Sequence, residues 1–240
     1  MVSYSRCMNG RVILLAAFGF LFFTDIFSYS YAAPVYGTHM PEKNRWVWGI
    51  EGDFILDRNL DNEQGGVEIK KYFITGSYGL FKWLCFDGKI GVGDVEWHRT
   101  QTNADISYDT NFAGGYGFRI DCGKIEHLGI KGVIGFQHIS VHPDAKNQEG
   151  HKHQVIIDEW QGSALISKDI GRFIPYLGLR YGTVDFIKWL DEQDRKRIHS
   201  EKFFGAVVGM DYWLNKKIRL NLEMDFLDGE ELTIGMGYDF

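Results

Sequence analysis

The sequence predicts an all-β fold: a single transmembrane antiparallel up-and-down β-barrel of ten strands, with eight as the nearest alternative count. Three observations lead there. Large apolar side chains alternate with small or charged ones from Trp46 to the final residue, Phe240, which is the period of a strand and not of a helix. The polar stretches between these runs alternate long and short, as they must when a meander keeps all its long loops at one end. The face opposite the bulky one is glycine, serine and mixed charge, a composition better suited to a polar interior than to a water-facing wall.

The 240 residues suffice for one substantial domain. There are 29 glycines without a collagen-like repeat, so their positions need a reason. A net charge of −6 argues against a general nucleic-acid binder. Residues 1–32 read as a secretory signal peptide: Arg6 and Arg11, then the apolar run "VILLAAFGFLFF", then Ser30-Tyr31-Ala32 as a small-x-small cleavage site. The alternative is a buried N-terminal helix; the run is too short to span a bilayer. Cleavage near Ala32 would remove Arg6, Arg11 and Asp25, taking the charge from −6 to −7, and would remove Cys7. Residues 33–45 then form a short periplasmic segment, and residues 46–240 the barrel.

The strands follow in order. Trp46, Trp48, Ile50, Phe54 and Leu56 share one face of the first. Tyr72, Ile74, Tyr78 and Leu80 mark the second, Phe86, Ile90 and Val92 the third, and Phe112, Tyr116, Phe118 and Ile120 the fourth. Leu128, Ile130, Ile134 and Phe136 give the fifth; Trp160, Ala164 and Ile166 the sixth; Leu177, Leu179 and Tyr181 the seventh. The eighth runs from Phe204 to Tyr212, the ninth from Ile218 to Phe226 and the tenth from Leu232 to Phe240. Long polar connections fall near 57–67, 98–109, 140–154 and 187–202, and short ones near 82–84, 122–127, 169–172 and 214–217; Asp228-Gly229-Glu230 alone breaks the rule on the long side.

Aromatic residues gather in two bands. Trp46, Trp48, Trp83, Phe86, Trp213 and Tyr238 lie near the short turns, while Phe54, Tyr72, Trp97, Phe112, Trp160, Phe186 and Phe204 lie near the long loops. From Phe204 to Tyr212, eight steps of roughly 3.3 Å at a tilt of ~40° cover about 20 Å, near the height of a bilayer's apolar band. Two girdles at that separation are what membrane–water interfaces select. A lipocalin-like soluble barrel would instead have to hold the whole bulky face inside. Unpaired backbone cannot lie in lipid, so the last strand must pair with the first, which accounts for alternation held to the last residue.

The ending Tyr238-Asp239-Phe240 resembles the C-terminal signal of Gram-negative outer-membrane barrels, and "PYLGLRYG" is similar to strands of the small barrels related to outer-membrane protein A, including porin-like ones. That resemblance implies an outer-membrane location after Sec-type export. It also implies contact with outer-membrane lipid and insertion by the barrel-assembly machinery through Tyr238 and Phe240.

The chemistry-bearing residues fall into three groups. Inward parity collects Glu51, Asp53, Lys89, Arg119, Lys131, Arg180, Asp211, Arg219, Glu223 and Asp225 in one lumen charge network. Such a network either closes the barrel or lines a narrow channel. His138 and Ser140 sit on the lipid-facing parity at the outer rim, a His-x-Ser pair that resembles the outer-membrane lipid A deacylases. By that resemblance His138 is the base and Ser140 the nucleophile, with Glu149 and Glu159 as candidate acids. His142, His151 and His153 invite a metal, yet no cysteine or compact carboxylate set completes a site. Cys85 and Cys122, at the short-turn ends of neighbouring strands, are a disulfide candidate, although parity assigns them opposite faces. No phosphate loop or nucleotide fingerprint is present, and no cofactor is expected. The expected role is structural or surface-interacting, facing an unnamed surface ligand, or a narrow channel; the alternative is a lipid A deacylase-like hydrolase.

Overall fold

The computed structural model describes residues 37–62, 64–100, 105–148 and 150–240; the signal-peptide segment lies outside them. The strands are β1 (Trp46–Asn59), β2 (Gly66–Phe81), β3 (Leu84–His98), β4 (Ile106–Ile125), β5 (Ile130–Val141) and β6 (Lys146–Gln148). They continue as β7 (His151–Lys168), β8 (Phe173–Leu190), β9 (Gln193–His199), β10 (Phe204–Trp213), β11 (Ile218–Phe226) and β12 (Glu230–Asp239). Ten of them form a closed antiparallel barrel, in which β6 and β9 are additions. β12 returns to pair with β1, Tyr238 opposite Trp48 and Leu232 opposite Phe54, so no edge is left open.

The wall is uneven in height. β4 runs for 20 residues and β7 and β8 for 18 each, against 9 or 10 in β10, β11 and β12. Where β10 stops at Phe204, opposite Tyr181, β9 takes over its place along the upper part of β8. Leu60 of β1's exit then bridges Ser200. A second, smaller closed ring of strands thus stands above the ten-stranded belt, on the long-loop side.

The two levels are filled differently. In the belt the outer face is apolar: Ile50, Ile74, Ile90, Leu179, Val208 and Met224 are all exposed. Its inner face carries the buried charges. In the upper ring the interior is an apolar core that includes Ile55, Val67, Ile69, Val95, Ile157 and Val184. Trp97 and Phe186 belong to this core, their rings 5.0 Å apart across the interior. Height along the strand had suggested an outward aromatic band for both. Parity counted from Val92 and from Tyr181 turns them inward, and burial follows parity.

Residues 37–45 do not trail away below the barrel. Thr38 is buried, and its carbonyl accepts from the Lys131 ammonium at 3.1 Å. The Arg119 guanidinium donates to the His39 carbonyl. Farther along, the Asn44 amide donates to the Gly79 carbonyl at 2.7 Å, which ties the segment beside β2. The short-turn mouth is therefore lined by the chain's own N-terminal stretch.

Candidate functional site

The interior of the belt is bridged by ion pairs in an upper cluster and a lower one. In the upper cluster Lys71 on β2 reaches Glu159 on β7, with both carboxylate oxygens at 2.8 Å, and Asp53 on β1 at 2.9 Å. Arg180 on β8 meets Asp225 on β11 and Glu231 on β12 at 2.6 Å each, and Asp228 at 3.0 Å. Arg58 closes the cluster with Asp228 and Glu231, both at 3.2 Å. Three cations thus face five carboxylates, every one of them buried. Charges so desolvated are held only by partners in good geometry, since an unpaired one costs several kcal/mol (roughly 3–5). Because Lys71 and Glu159 lie on strands that are not neighbours, the pair spans the interior.

In the lower cluster Arg119 grips Asp87 through Nε at 2.9 Å and Nη2 at 2.7 Å, a bidentate pair that Ser77 joins. Lys89 binds Glu51 at 2.5 Å, Arg219 binds Asp211, and Lys131 binds Asp121 at 3.1 Å nearer the mouth. Tyr176 donates its hydroxyl to Glu223 at 2.7 Å, and Asn221 donates to that same hydroxyl at 2.9 Å.

All ten residues expected in the lumen lie on the inner face, but they do not form one network. Arg180, Asp225 and Asp53 are in the upper cluster, and the other seven are in the lower. Sequence reasoning missed Arg58, Lys71, Asp228 and Glu231, and took Glu159 only as a candidate acid for Ser140. Lys71 and Glu231 had the right parity and no other signal. Arg58 lies beyond an irregularity in β1 between Ile55 and Asp57. The extra residue there reverses the alternation, so Arg58 points inward although it sits two places after the exposed Leu56. Asp228 reads as a turn residue, yet its carboxylate folds back under the turn to take both arginines.

A second cluster lies outside, at the upper rim of the belt. In the β5–β7 ladder Ser140 is opposite Asp158 and His138 is opposite Trp160. The Ser140 hydroxyl donates to Asp158 Oδ1 at 2.5 Å, and His142 Nε2 lies 2.9 Å from Ser140 Oγ. His138 Nε2 is 3.7 Å from Asp158. A hydroxyl has one proton, so with Asp158 as its acceptor His142 must be the donor, which is the reverse of a histidine acting as base. The histidine within reach of Ser140 is thus His142, and the carboxylate is Asp158. Of the expected acids, Glu159 is inside with Lys71 and does not serve Ser140, and Glu149 lies outside the described residues.

Two further expectations need correction or relocation. Cys85 and Cys122 are free thiols and form no disulfide. Cys85 is buried on the inner face opposite Arg119, while Cys122 is exposed past Ile120 on the outside, so alternation keeps the sulfurs apart. His142, His151 and His153 do not converge; His151 pairs instead with Asp191 at 2.6 Å. Among the described residues the set that gathers ligand atoms within 4.8 Å of one another is Glu68, Glu96 and His98. The chain end is a wall strand: Phe240 donates its amide to the Trp46 carbonyl, and the Tyr238 and Phe240 rings meet edge to face at 4.9 Å.

A closed ten-stranded antiparallel barrel, apolar on its outer belt and bridged inside by ion pairs, is the class of protein that this fold and site define. No protein-family model matches the chain, and no curated protein sequence matches it. Solved structures similar to it include the translocator domain of the autotransporter NalP from Neisseria meningitidis, at 12% identity and a TM-score of 0.47, over 85% of this chain and 90% of that one. The outer membrane protease OmpT from Escherichia coli is similar at 10% identity and a TM-score of 0.42, over 85% and 99%. The β domain of the Bordetella autotransporter BrkA is similar at 10% and 0.44, over 82% and 100%.

Proposed function

We propose that the protein is an outer-membrane barrel that anchors a closed, apolar-cored head above the membrane and serves a structural or surface-interaction role. The observation that carries this is the pairing of an exposed apolar belt with an interior bridged from wall to wall. A belt of exposed isoleucine, leucine, valine and methionine flanked by aromatics suits lipid and does not suit water. The Lys71–Glu159 and Trp97–Phe186 contacts cross the interior at two heights, which favours closure over the channel reading. On this reading residues 1–32 direct export, Tyr238 and Phe240 serve the assembly machinery, and the long-loop side faces the medium.

Sidedness is testable with cysteines at Val208 and Leu222, both outward in the belt, in a chain whose exposed Cys122 is replaced by serine. In intact membranes both should resist a water-borne thiol reagent. Ready labelling of both, or folding of the mature chain in plain buffer, would overturn the proposal.

The Ser140–His142–Asp158 contacts favour one second reading, a hydrolase acting on lipid at the outer rim. It requires the hydroxyl to turn from Asp158 toward His142. Ser140→Ala and His142→Gln should then each abolish acyl release from lipid A while heat-modifiable migration of the barrel persists. Release that survives in both variants removes Ser140 as nucleophile.

A further inference from the structure

The upper mouth of the head gathers positive charge in a chain whose net charge is negative. Lys188 is opposite Lys196 in the β8–β9 ladder. Like charges placed directly across a strand pair repel and would be expected only where something offsets them. The Lys188 ammonium sits 4.0 Å from the centre of the Trp97 ring and donates to Gln64 Oε1 at 3.1 Å. Arg99 lies over the same indole, its guanidinium carbon 5.7 Å from the centre. Neither lysine makes an ion pair with a carboxylate among the described residues. Among the described residues Lys71, Lys89 and Lys131 are matched by acids, whereas Lys188 rests on an indole and faces Lys196.

Burial, then Lys196 and Arg99, lowers the Lys188 amine from 10.5 to about 8. The local field thus disfavours a third positive charge and favours a negative ligand. Lys196 is exposed at this mouth and Lys188 half-buried. Lys188 comes seven residues after Tyr181, which faces Phe204 at the upper aromatic band. Seven steps of about 3.3 Å at a tilt of ~40° lift it on the order of 18 Å beyond that band. Headgroups of the surrounding bilayer do not reach that height.

We propose that Lys188 and Lys196, with the Arg99 guanidinium beside them and Trp97 as floor, bind an oxyanion of the phosphate or sulfate class at the outer mouth of the head. The ligand is either a free ion or such a group borne on an extracellular glycan. A tetrahedral oxyanion accepts hydrogen bonds from two ammonium groups and a guanidinium at once, and it offsets the lysine–lysine repulsion. The inference takes its outward direction from the reading above and is otherwise independent of it.

The test uses the full chain refolded in detergent, with heat-modifiable migration as the control for an intact barrel. Calorimetric titrations are made with inorganic phosphate, a short sulfated dextran and neutral dextran. At least one anionic probe should bind and neutral dextran should not. Lys188→Gln and Lys196→Gln should each weaken binding tenfold or more. Lys196 is exposed, so its variant stays informative if the Lys188 variant fails to fold. Saturating anion should also raise the Lys188 amine by at least a full pH unit, read by NMR of the carbon-13-methylated lysine. Similar affinities for phosphate and sulfated dextran point to a free ion, and a tenfold preference for the dextran to a glycan. No binding by the intact barrel, undiminished binding in the Lys196 variant, or an unmoved Lys188 titration overturns the proposal.

Discussion

A single buried cation shows how stability is held in this interior. Lys71 balances Asp53 and Glu159, and neither carboxylate has solvent to turn to. Lys71→Met should therefore destabilise by about 3–5 kcal/mol, because the cost is two uncompensated buried charges and not one lost contact. Neutralising Glu159 as well, in Lys71→Met with Glu159→Gln, should recover part of the loss. Denaturant midpoints of the refolded barrel distinguish the two. On the head, His98 behaves differently. Its slight burial acts against the charged form, but hydrogen bonds and charge from Asp105 and Glu68 outweigh that and raise it above 6.5. A raised folded value means the contribution is fully present below the ordinary pKa near 6.5 and is lost as pH rises through the folded one. His98→Gln should flatten the stability profile across that window, and an NMR titration of His98 should give the higher value directly.

At the scale of the element, alternation works until a strand is irregular or its neighbours change. The irregularity in β1 is what brings Arg58 to Asp228 and Glu231. Insertion of one glycine between Asp57 and Arg58 should move Arg58 to the outward parity and leave Arg180 alone with three carboxylates. A melting temperature unchanged by that insertion would show that the Arg58 ion pairs are dispensable. β10 gives a second case. Gly209 faces the Tyr176 ring so closely that a Cβ there would run into it. Gly209→Val should displace Tyr176, break its bond to Glu223 and cost about 1–3 kcal/mol by overpacking. Gly132, whose nearest neighbour to an added Cβ is at 3.5 Å, should tolerate alanine far better.

For the whole molecule, the two fillings make closure redundant. The belt is crossed by ion pairs and the head by an apolar core, so on the proposed reading the interior is closed at two levels. Planar bilayers holding the refolded protein should remain silent, and Arg180→Ala should leave them silent, because the Trp97–Phe186 level still closes the path. Discrete conductance steps in the unmodified protein would contradict this. The head exists because β4, β7 and β8 extend well past the belt, while β10, β11 and β12 do not. Above the belt the outside becomes polar, as at Glu68 and Glu96, and the inside becomes apolar, as at Val67 and Val95. One chain thus reverses its sidedness along a single strand, following the solvent.

The all-β class, the meander, the ten wall strands and the inward face of residues such as Glu223 and Arg219 were legible from alternation and loop length, because a period of two is local. The partners of Ser140 and the inward turns of Arg58 and Asp228 were not. Each depends on which residues meet across strands or after a bulge, and strand register is a long-range property. The division of the interior into a charged belt and an apolar head was likewise out of reach. It depends on how far each strand extends past the belt, and only the assembled barrel determines that height.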